Sequence, residues 1–385
     1  LEKSDKPVRA TFLVSGFLGL IVLLGILLII SSALTFKLNS ELNKNIAAAK
    51  ELARPADIEL TIIKNSKCPD CFDASKAADY VKTLNVKVIG EKMIEFDSQE
   101  AKSLISKYKI GKVPALIVTG EIDKVNVEGL VKNNDALILS SIPAPYTNAA
   151  NGKIEGRVTV YSLKDMSCDK CYDLNALVSQ INRSGVKIYE QKVFGSNSEE
   201  GKSWMAKYNI NFVPSLILSK DAAEYPIMNQ AWAQLGTKEN DGMYVLRTIY
   251  PPFINLTTGK LRGLVSIVYL TDKSCTECYD VNIHKQILAS PQSFAMNLDK
   301  EETVDISDAK GKELIAKYNI NQVPTIILSE DAGAYPSSKA LIQFFSIEKD
   351  GSYVFNKLSV VGAYKDLAKN QVVKPQAQDQ ENTAS

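Results

Sequence analysis

The chain has 385 residues, 45 Lys plus Arg against 44 Asp plus Glu, one His and a formal net charge of +1. This balance, without a long basic run, removes the electrostatic case for binding nucleic acid. The lone His284 excludes two-His zinc sites and most Ser-His triads, and no Cys is followed by the Cys-His ending of a covalent haem attachment site.

The chain opens on Leu1 rather than Met, which points to an upstream piece or to a non-standard start codon read literally. Residues 1–10 read as a short tail. From Thr11 to Phe36 run 26 residues without a charge. As a helix rising about 1.5 Å per residue, this run reaches roughly 39 Å, enough to cross a hydrocarbon core. Signal peptides have a shorter apolar core, about 7–15 residues. Residues 11–36 are therefore expected to be an uncleaved transmembrane anchor, although Ser31-Ser32-Ala33 has the small-residue look of a cleavage site. Lys3, Lys6 and Arg9 crowd one side of it and Lys37, Lys44 and Lys50 follow more sparsely on the other, which favours a cytoplasmic N-terminus. Residues 37–55 read as an amphipathic stalk ended by Pro55, and residues 371–385 as a disordered tail.

Between stalk and tail the chain repeats itself. Three Cys-x-x-Cys pairs occur, Cys68/Cys71, Cys168/Cys171 and Cys275/Cys278, and a Tyr-x-Ile-x-x-Val-Pro follows each, at Tyr108–Pro114, Tyr208–Pro214 and Tyr318–Pro324. The first Cys precedes that Pro by 46, 46 and 49 residues. Asn148, Gly152, Gly156, Val158 and Cys168 recur 107 positions later as Asn255, Gly259, Gly263, Val265 and Cys275. Ser219–Pro226 recurs as Ser329–Pro336, an insert that the first copy lacks. Pro143–Pro145 and Pro251–Phe253 read as linkers, so the copies are placed at 56–142, 143–250 and 251–370.

Each copy begins with a β-branched run, Ile58–Ile63, Arg157–Leu163 or Leu264–Leu270, which reads as a buried strand. The Cys pair follows, then a helix with apolar spacing at Ala74, Ala77, Ala78 and Val81, then a second strand (Val86–Ile89, Val186–Val193) and a helix ending in Lys-Tyr. Val-Pro opens a third apolar strand, Ala115–Val118, Ser215–Leu218 or Thr325–Leu328. Such an order implies a compact α/β domain with a central sheet. Tyr108, Tyr208, Tyr318, Trp204 and Trp232 are expected in cores, and His284 on the surface of the helix after the third Cys pair.

The layout from Ile58 to Leu367 resembles the thioredoxin-like superfamily, carried by the Cys pair after the first strand and the Val-Pro that follows it. The fold class expected is thus α/β: three tandem thioredoxin-like domains after one N-terminal transmembrane helix. The resemblance implies a cis Pro facing each disulfide, at Pro114, Pro214 and Pro324. It also sets Val113, Val213 and Val323 beside the sulfurs, where the backbone could pair with an extended substrate. Cysteines in the first turn of a helix would face its unsatisfied N–H groups, which lowers the thiol pKa. Cys68, Cys168 and Cys275 are then the expected nucleophiles, and Cys71, Cys171 and Cys278 the resolving thiols.

The chain departs from the family pattern between the cysteines, which enclose Pro69-Asp70, Asp169-Lys170 and Thr276-Glu277. An acid in every loop disfavours the thiolate. The residue usually aromatic before the first Cys is Lys67, Ser167 or Ser274, and the family's buried acid is replaced by Ile62, Ser162 and Tyr269. These readings imply a membrane-anchored, extracytoplasmic thiol–disulfide oxidoreductase acting on exported protein thiols and disulfides. Electrons would pass to a partner protein, for which an electron-transfer protein of the membrane is the expected kind. No cofactor beyond the redox-active disulfides and no metal is expected, because no Gly-rich dinucleotide loop occurs and the Cys pairs lie near 100 residues apart. The alternative is a tethered binding array whose Cys pairs are structural staples.

Overall fold

The computed structural model describes residues 9–139 and 141–375. Lys3, Lys6 and the expected tail from residue 376 onward lie outside the described residues. Helix α1 runs unbroken from Arg9 to Ala53, so the expected anchor and stalk are one helix of 45 residues. Its span Val22–Ala53 is long and apolar enough to cross a membrane, and Leu23, Leu28, Ile29 and Phe36 on it are exposed. The α1 segment and the first copy form one compact unit as far as Ile154, and the second and third copies form another from Glu155.

The first copy runs β1 (Ala56–Lys64), α2 (Ala74–Lys82), β2 (Val86–Glu95), α3 (Gln99–Tyr108), β3 (Lys112–Val113), β4 (Ala115–Gly120), β5 (Leu130–Asn133), β6 (Ala136–Leu139), β7 (Tyr146–Asn148) and β8 (Ile154–Glu155). The main sheet has the order β2-β1-β4-β6-β5. β1 and β2 are parallel across the α2 crossover, whereas β1 and β4 are antiparallel. Because side chains alternate along a strand, β1 and β4 feed two cores. Leu60, Leu116 and Val118 pack against Ala74, Ala78 and Val81 of α2. Ile63, Ala115 and Ile117 pack with Ala101 and Tyr108 of α3 on the other face. The helix begins at Ala74 because the Asp73 carboxylate accepts from Ser75 N, and α3 begins where Ser98 Oγ accepts from Ala101 N.

The second copy repeats this order with β9 (Val158–Lys164), α4 (Asn175–Arg183), β10 (Ile188–Gly195), α5 (Glu199–Lys207), β11 (Phe212–Val213), β12 (Ser215–Leu218), α6 (Pro226–Ala231), β13 (Gly236–Lys238), β14 (Tyr244–Leu246), β15 (Phe253–Asn255) and β16 (Lys260–Arg262). The third has β17 (Leu264–Thr271), α7 (Ile283–Ala289), β18 (Asn297–Asp305), α8 (Ala309–Tyr318), β19 (Gln322–Val323), β20 (Thr325–Leu328), α9 (Ser338–Leu341), β21 (Phe345–Ile347), β22 (Tyr353–Phe355), β23 (Tyr364–Asp366) and β24 (Gln371–Val373). Their main sheets have the equivalent orders β10-β9-β12-β14-β13 and β18-β17-β20-β22-β21. All three copies are thioredoxin-like: a parallel βαβ unit, a second helix, and an antiparallel hairpin entered through Val-Pro.

The insert shared by the second and third copies ties down their first strands. Tyr225 Oη donates to Gly156 O and Tyr335 Oη to Gly263 O, while Asp221 and Asp331 accept from the N–H of those same glycines. In the first copy Glu121 takes the place of the insert, accepting from Asp57 N and pairing with Arg54 just beyond α1.

The expected boundaries need correction. Each copy has a second, three-stranded sheet, β3-β7-β8, β11-β15-β16 or β19-β23-β24. The segments taken as linkers and starts of new copies are therefore the closing hairpins of the preceding ones. The limits move from 142 and 250 to about the ends of β8 and β16, Glu155 and Arg262. Residues 371–373, assigned to the disordered tail, are strand β24 paired with β23.

Candidate active site

In every copy the Cys pair occupies the turn after the first strand and is closed as a disulfide. The turn is set by a main-chain bond from the first Cys to the residue three before it, Cys68 N to Asn65 O, Cys168 N to Asp165 O and Cys275 N to Asp272 O. Contrary to expectation, neither Cys of any pair lies in a helical turn. Helices α2, α4 and α7 start at Ala74, Asn175 and Ile283, beyond the second Cys. An Asp two residues after that Cys intervenes: Asp73, Asp173 and Asp280 each accept from an N–H two residues on. Asp73 is the N-cap of α2, whereas α4 and α7 begin after Leu174 and Asn282 with no side-chain cap. In all three copies the cysteines lie before the first helical turn, and the dipole argument for a lowered thiol pKa does not apply as made.

Pro114, Pro214 and Pro324 are each preceded by a cis bond, and the fold brings all three toward the disulfides. In the second copy Cys168, Cys171, Tyr172, Val193 and Pro214 line a cleft of about 350 Å³. In the first, Cys68, Cys71, Phe72, Met93 and Pro114 line one of about 230 Å³. In the third, Cys278 Sγ lies 3.9 Å from Val323 O.

Accessibility sets one sulfur apart. Cys68 is 5% exposed, whereas Cys71, Cys168, Cys171, Cys275 and Cys278 are all partly exposed. The expected nucleophile of the first copy is therefore its buried sulfur. An acid also approaches it, with Asp70 Oδ1 at 3.6 Å from Cys68 Sγ.

The valines expected to offer backbone to a substrate strand already have a strand opposite them. Val113 pairs with Thr147, Val213 with Ile254 and Val323 with Lys365. The same hairpin segments hold the cysteine turns, since Tyr172 N donates to Pro252 O and Tyr279 N to Ala363 O.

Two side chains at the third site escaped the sequence reading. His284 is buried at 4% exposure rather than on the surface. Its Nε2 lies 3.0 Å from Tyr279 Oη, which donates to Pro324 O at 2.9 Å. Desolvation pushes the His284 pKa down to about 4 and the Tyr279 pKa up. The signal for His284 was its spacing, with Leu288 four residues on in the same buried face. Tyr108, Tyr208 and Trp232 are core residues as expected, while Tyr318 and Trp204 are only partly buried.

Comparison with protein-family models and with curated protein sequences returns no match. Among solved structures, the NTD_N/C domain of the alkylhydroperoxide reductase AhpF from Enterococcus faecalis aligns at 14% identity over 45% of this chain and 89% of its own, with a TM-score of 0.16. The zinc-bound form of human ERp44 aligns at 11% identity over 75% of this chain and 86% of its own, with a TM-score of 0.15. A protein disulfide oxidoreductase from Aeropyrum pernix aligns at 17% identity over 48% of this chain and 83% of its own, again with a TM-score of 0.15. At these TM-scores the likenesses carry no weight, and the thioredoxin-like fold rests on strand order and connections. What the fold and the cysteines define together is an array of three thioredoxin-like copies with one Cys-x-x-Cys disulfide in each.

Proposed function

We propose that the chain is a thiol–disulfide oxidoreductase held at a membrane by α1, with its copies on the extracytoplasmic side, exchanging disulfides with exported proteins. The observation that carries this reading is the cleft of the second copy, where Cys168 and Cys171, both partly exposed, open with Pro214 into one cavity. Six paired cysteines suit an oxidising compartment. The chemistry needs no cofactor beyond the disulfides, and electrons pass to or from a partner protein, in the simplest arrangement one in the same membrane. For the first copy the buried Cys68 favours the second reading, a structural staple.

Substrate is joined first to the outer sulfur and released when the inner one attacks. Cys171→Ser and Cys278→Ser should therefore accumulate exported proteins as mixed disulfides, seen on non-reducing electrophoresis after acid quenching. Cys168→Ser and Cys275→Ser should trap little, and neither change in the first copy should trap anything. Equal behaviour of outer and inner variants in both the second and third copies would leave only the display array.

A further inference from the structure

The residue three before the first Cys meets the closing hairpin differently in each copy. In the first it is Asn65, whose Nδ2 donates to Thr147 Oγ1 at 2.9 Å. In the third it is Asp272, and Lys365 Nζ donates to its Oδ2 at 2.6 Å. In the second it is Asp165, and the register places Ile254 where Thr147 and Lys365 stand. Lys365 thus joins two parts of the site. Its backbone lies opposite Val323, next to Pro324, and its side chain reaches the turn that carries Cys275.

The Asp272 carboxylate sits close to the attacking sulfur along the chain. It accepts from Ser274 N at 2.8 Å and Ser274 Oγ at 2.6 Å, and Asp272 O accepts from Cys275 N at 3.0 Å. The ion pair is sheltered, its side chains 17% exposed for Lys365 and 5% for Asp272, so solvent screens it weakly. Burial pushes the Asp272 carboxyl up, but Lys365 and Ser274 outweigh it and hold the group below its ordinary value. A second lysine from the same hairpin, Lys374, pairs with Glu277 between the cysteines, although both are well exposed.

We propose that Lys365 is a positioning residue for exchange in the third copy. It cancels the Asp272 charge, so that the Cys275 thiolate forms beside a neutral pair rather than beside an anion. The proposal rests on the redox reading of this copy. In the reduced copy, the Cys275 thiolate attacks one sulfur of a disulfide RSSR, forming the mixed disulfide and expelling RS⁻. Cys278, its proton lost to solvent, then attacks the Cys275 sulfur, closes the Cys275–Cys278 bond and expels the second RS⁻. Two electrons pass from the dithiol to RSSR, and Lys365 exchanges neither electron nor proton. With the lysine gone, an uncancelled carboxylate raises the thiol pKa and shrinks the thiolate fraction, partly offset by greater intrinsic nucleophilicity.

The test uses the full chain with Cys68, Cys71, Cys168 and Cys171 changed to Ser, reduced, freed of reductant and mixed with glutathione disulfide. Loss of thiols is followed after acid quenching. Lys365→Met should slow the reaction about fivefold. Lys365→Arg should keep the parent rate, and Asp272→Asn with Lys365→Met should recover most of it, which a merely structural role of the lysine would not allow. Lys365→Met reacting as fast as its parent, or the double variant staying as slow as the single one, overturns the inference. If the parent chain itself fails to exchange, the redox reading of the third copy fails and this proposal falls with it.

Discussion

His284 adds one proton to the acid sensitivity of the third copy. The ring lies 4.5 Å from Phe355, centroid to centroid, and its Nε2 shares a hydrogen bond with Tyr279 Oη. Its surroundings favour the neutral form, lowering the pKa from 6.5 to about 4. The unfolded chain therefore binds a proton more readily than the folded one between these values. Stability from keeping His284 neutral is fully present above about pH 6.5 and is lost as pH falls through the window toward 4. At about 1.36 kcal/mol per pKa unit, the full loss is about 3 kcal/mol, and about 2 kcal/mol is gone by pH 5. His284→Phe removes the titrating group, while the Tyr279 hydroxyl keeps its bond to Pro324. The assay is amide hydrogen exchange in the intact chain, read on peptides spanning Leu264–Ala289 and corrected for intrinsic rates. Between pH 7 and pH 5 the wild type should lose about 2 kcal/mol more protection than the variant. Parallel loss in the two proteins would refute the buried neutral histidine.

Three further outcomes follow from the packing. A Cβ at Gly311 would stand 2.0 Å from Asp305 O, so Gly311→Ala in α8 should cost about 1–3 kcal/mol in a urea titration, even though alanine favours helices. Leu60→Ala empties a fully buried site between β1 and α2 and should cost about 2–5 kcal/mol in the unfolding of the first copy. If α1 is the anchor, cleavage in the residues after Ala53 should release the array from membranes, whereas high salt with α1 intact should release none; release by salt alone would contradict membrane insertion.

The main sheet was legible because its signals are local. Runs such as Ile58–Ile63 and Thr325–Leu328 are apolar enough to read as strands, and repetition in three copies supplied what one copy would have lacked. The closing hairpins were not legible, because Val113–Thr147 and Val213–Ile254 are pairings between residues far apart in the chain. Pro143 and Pro251 read as punctuation when they only turn the chain back toward its own Val-Pro strand. The offset of 107 residues was correct, but a repeat has no intrinsic starting point. Read from the offset alone, Asn148 and Asn255 look like beginnings, yet they end the closing strands β7 and β15. The third hairpin would have resolved the phase. There Asp366 accepts from Ala368 N as Asn148 does from Ala150 N, and Asn370 takes the positive φ of Gly152 and Gly259. An Asp for an Asn and an Asn for a Gly were enough to hide it.

The site was legible as a set of residues but not as an electrostatic environment. The cysteines and prolines meet as the resemblance implies, yet the helices start a few residues later than expected, beyond the second Cys. Each second Cys is followed by an aromatic residue and then an Asp (Asp73, Asp173 and Asp280), and an Asp that binds the N–H two residues on favours a turn ahead of the helix. Read that way, the sequence puts the cysteines in a turn before the helix and denies them its dipole. What then sets a thiolate's stability is the charge brought to the turn from elsewhere in the chain. Thr147, Ile254 and Lys365 occupy that place, and they differ in charge where the cysteines do not. Three copies of one Cys-x-x-Cys frame are thus three chemically distinct sites: a buried sulfur approached by Asp70 in a turn held by the neutral Asn65–Thr147 pair, an open cleft with an acid facing no lysine from its hairpin, and a turn whose acid is neutralised.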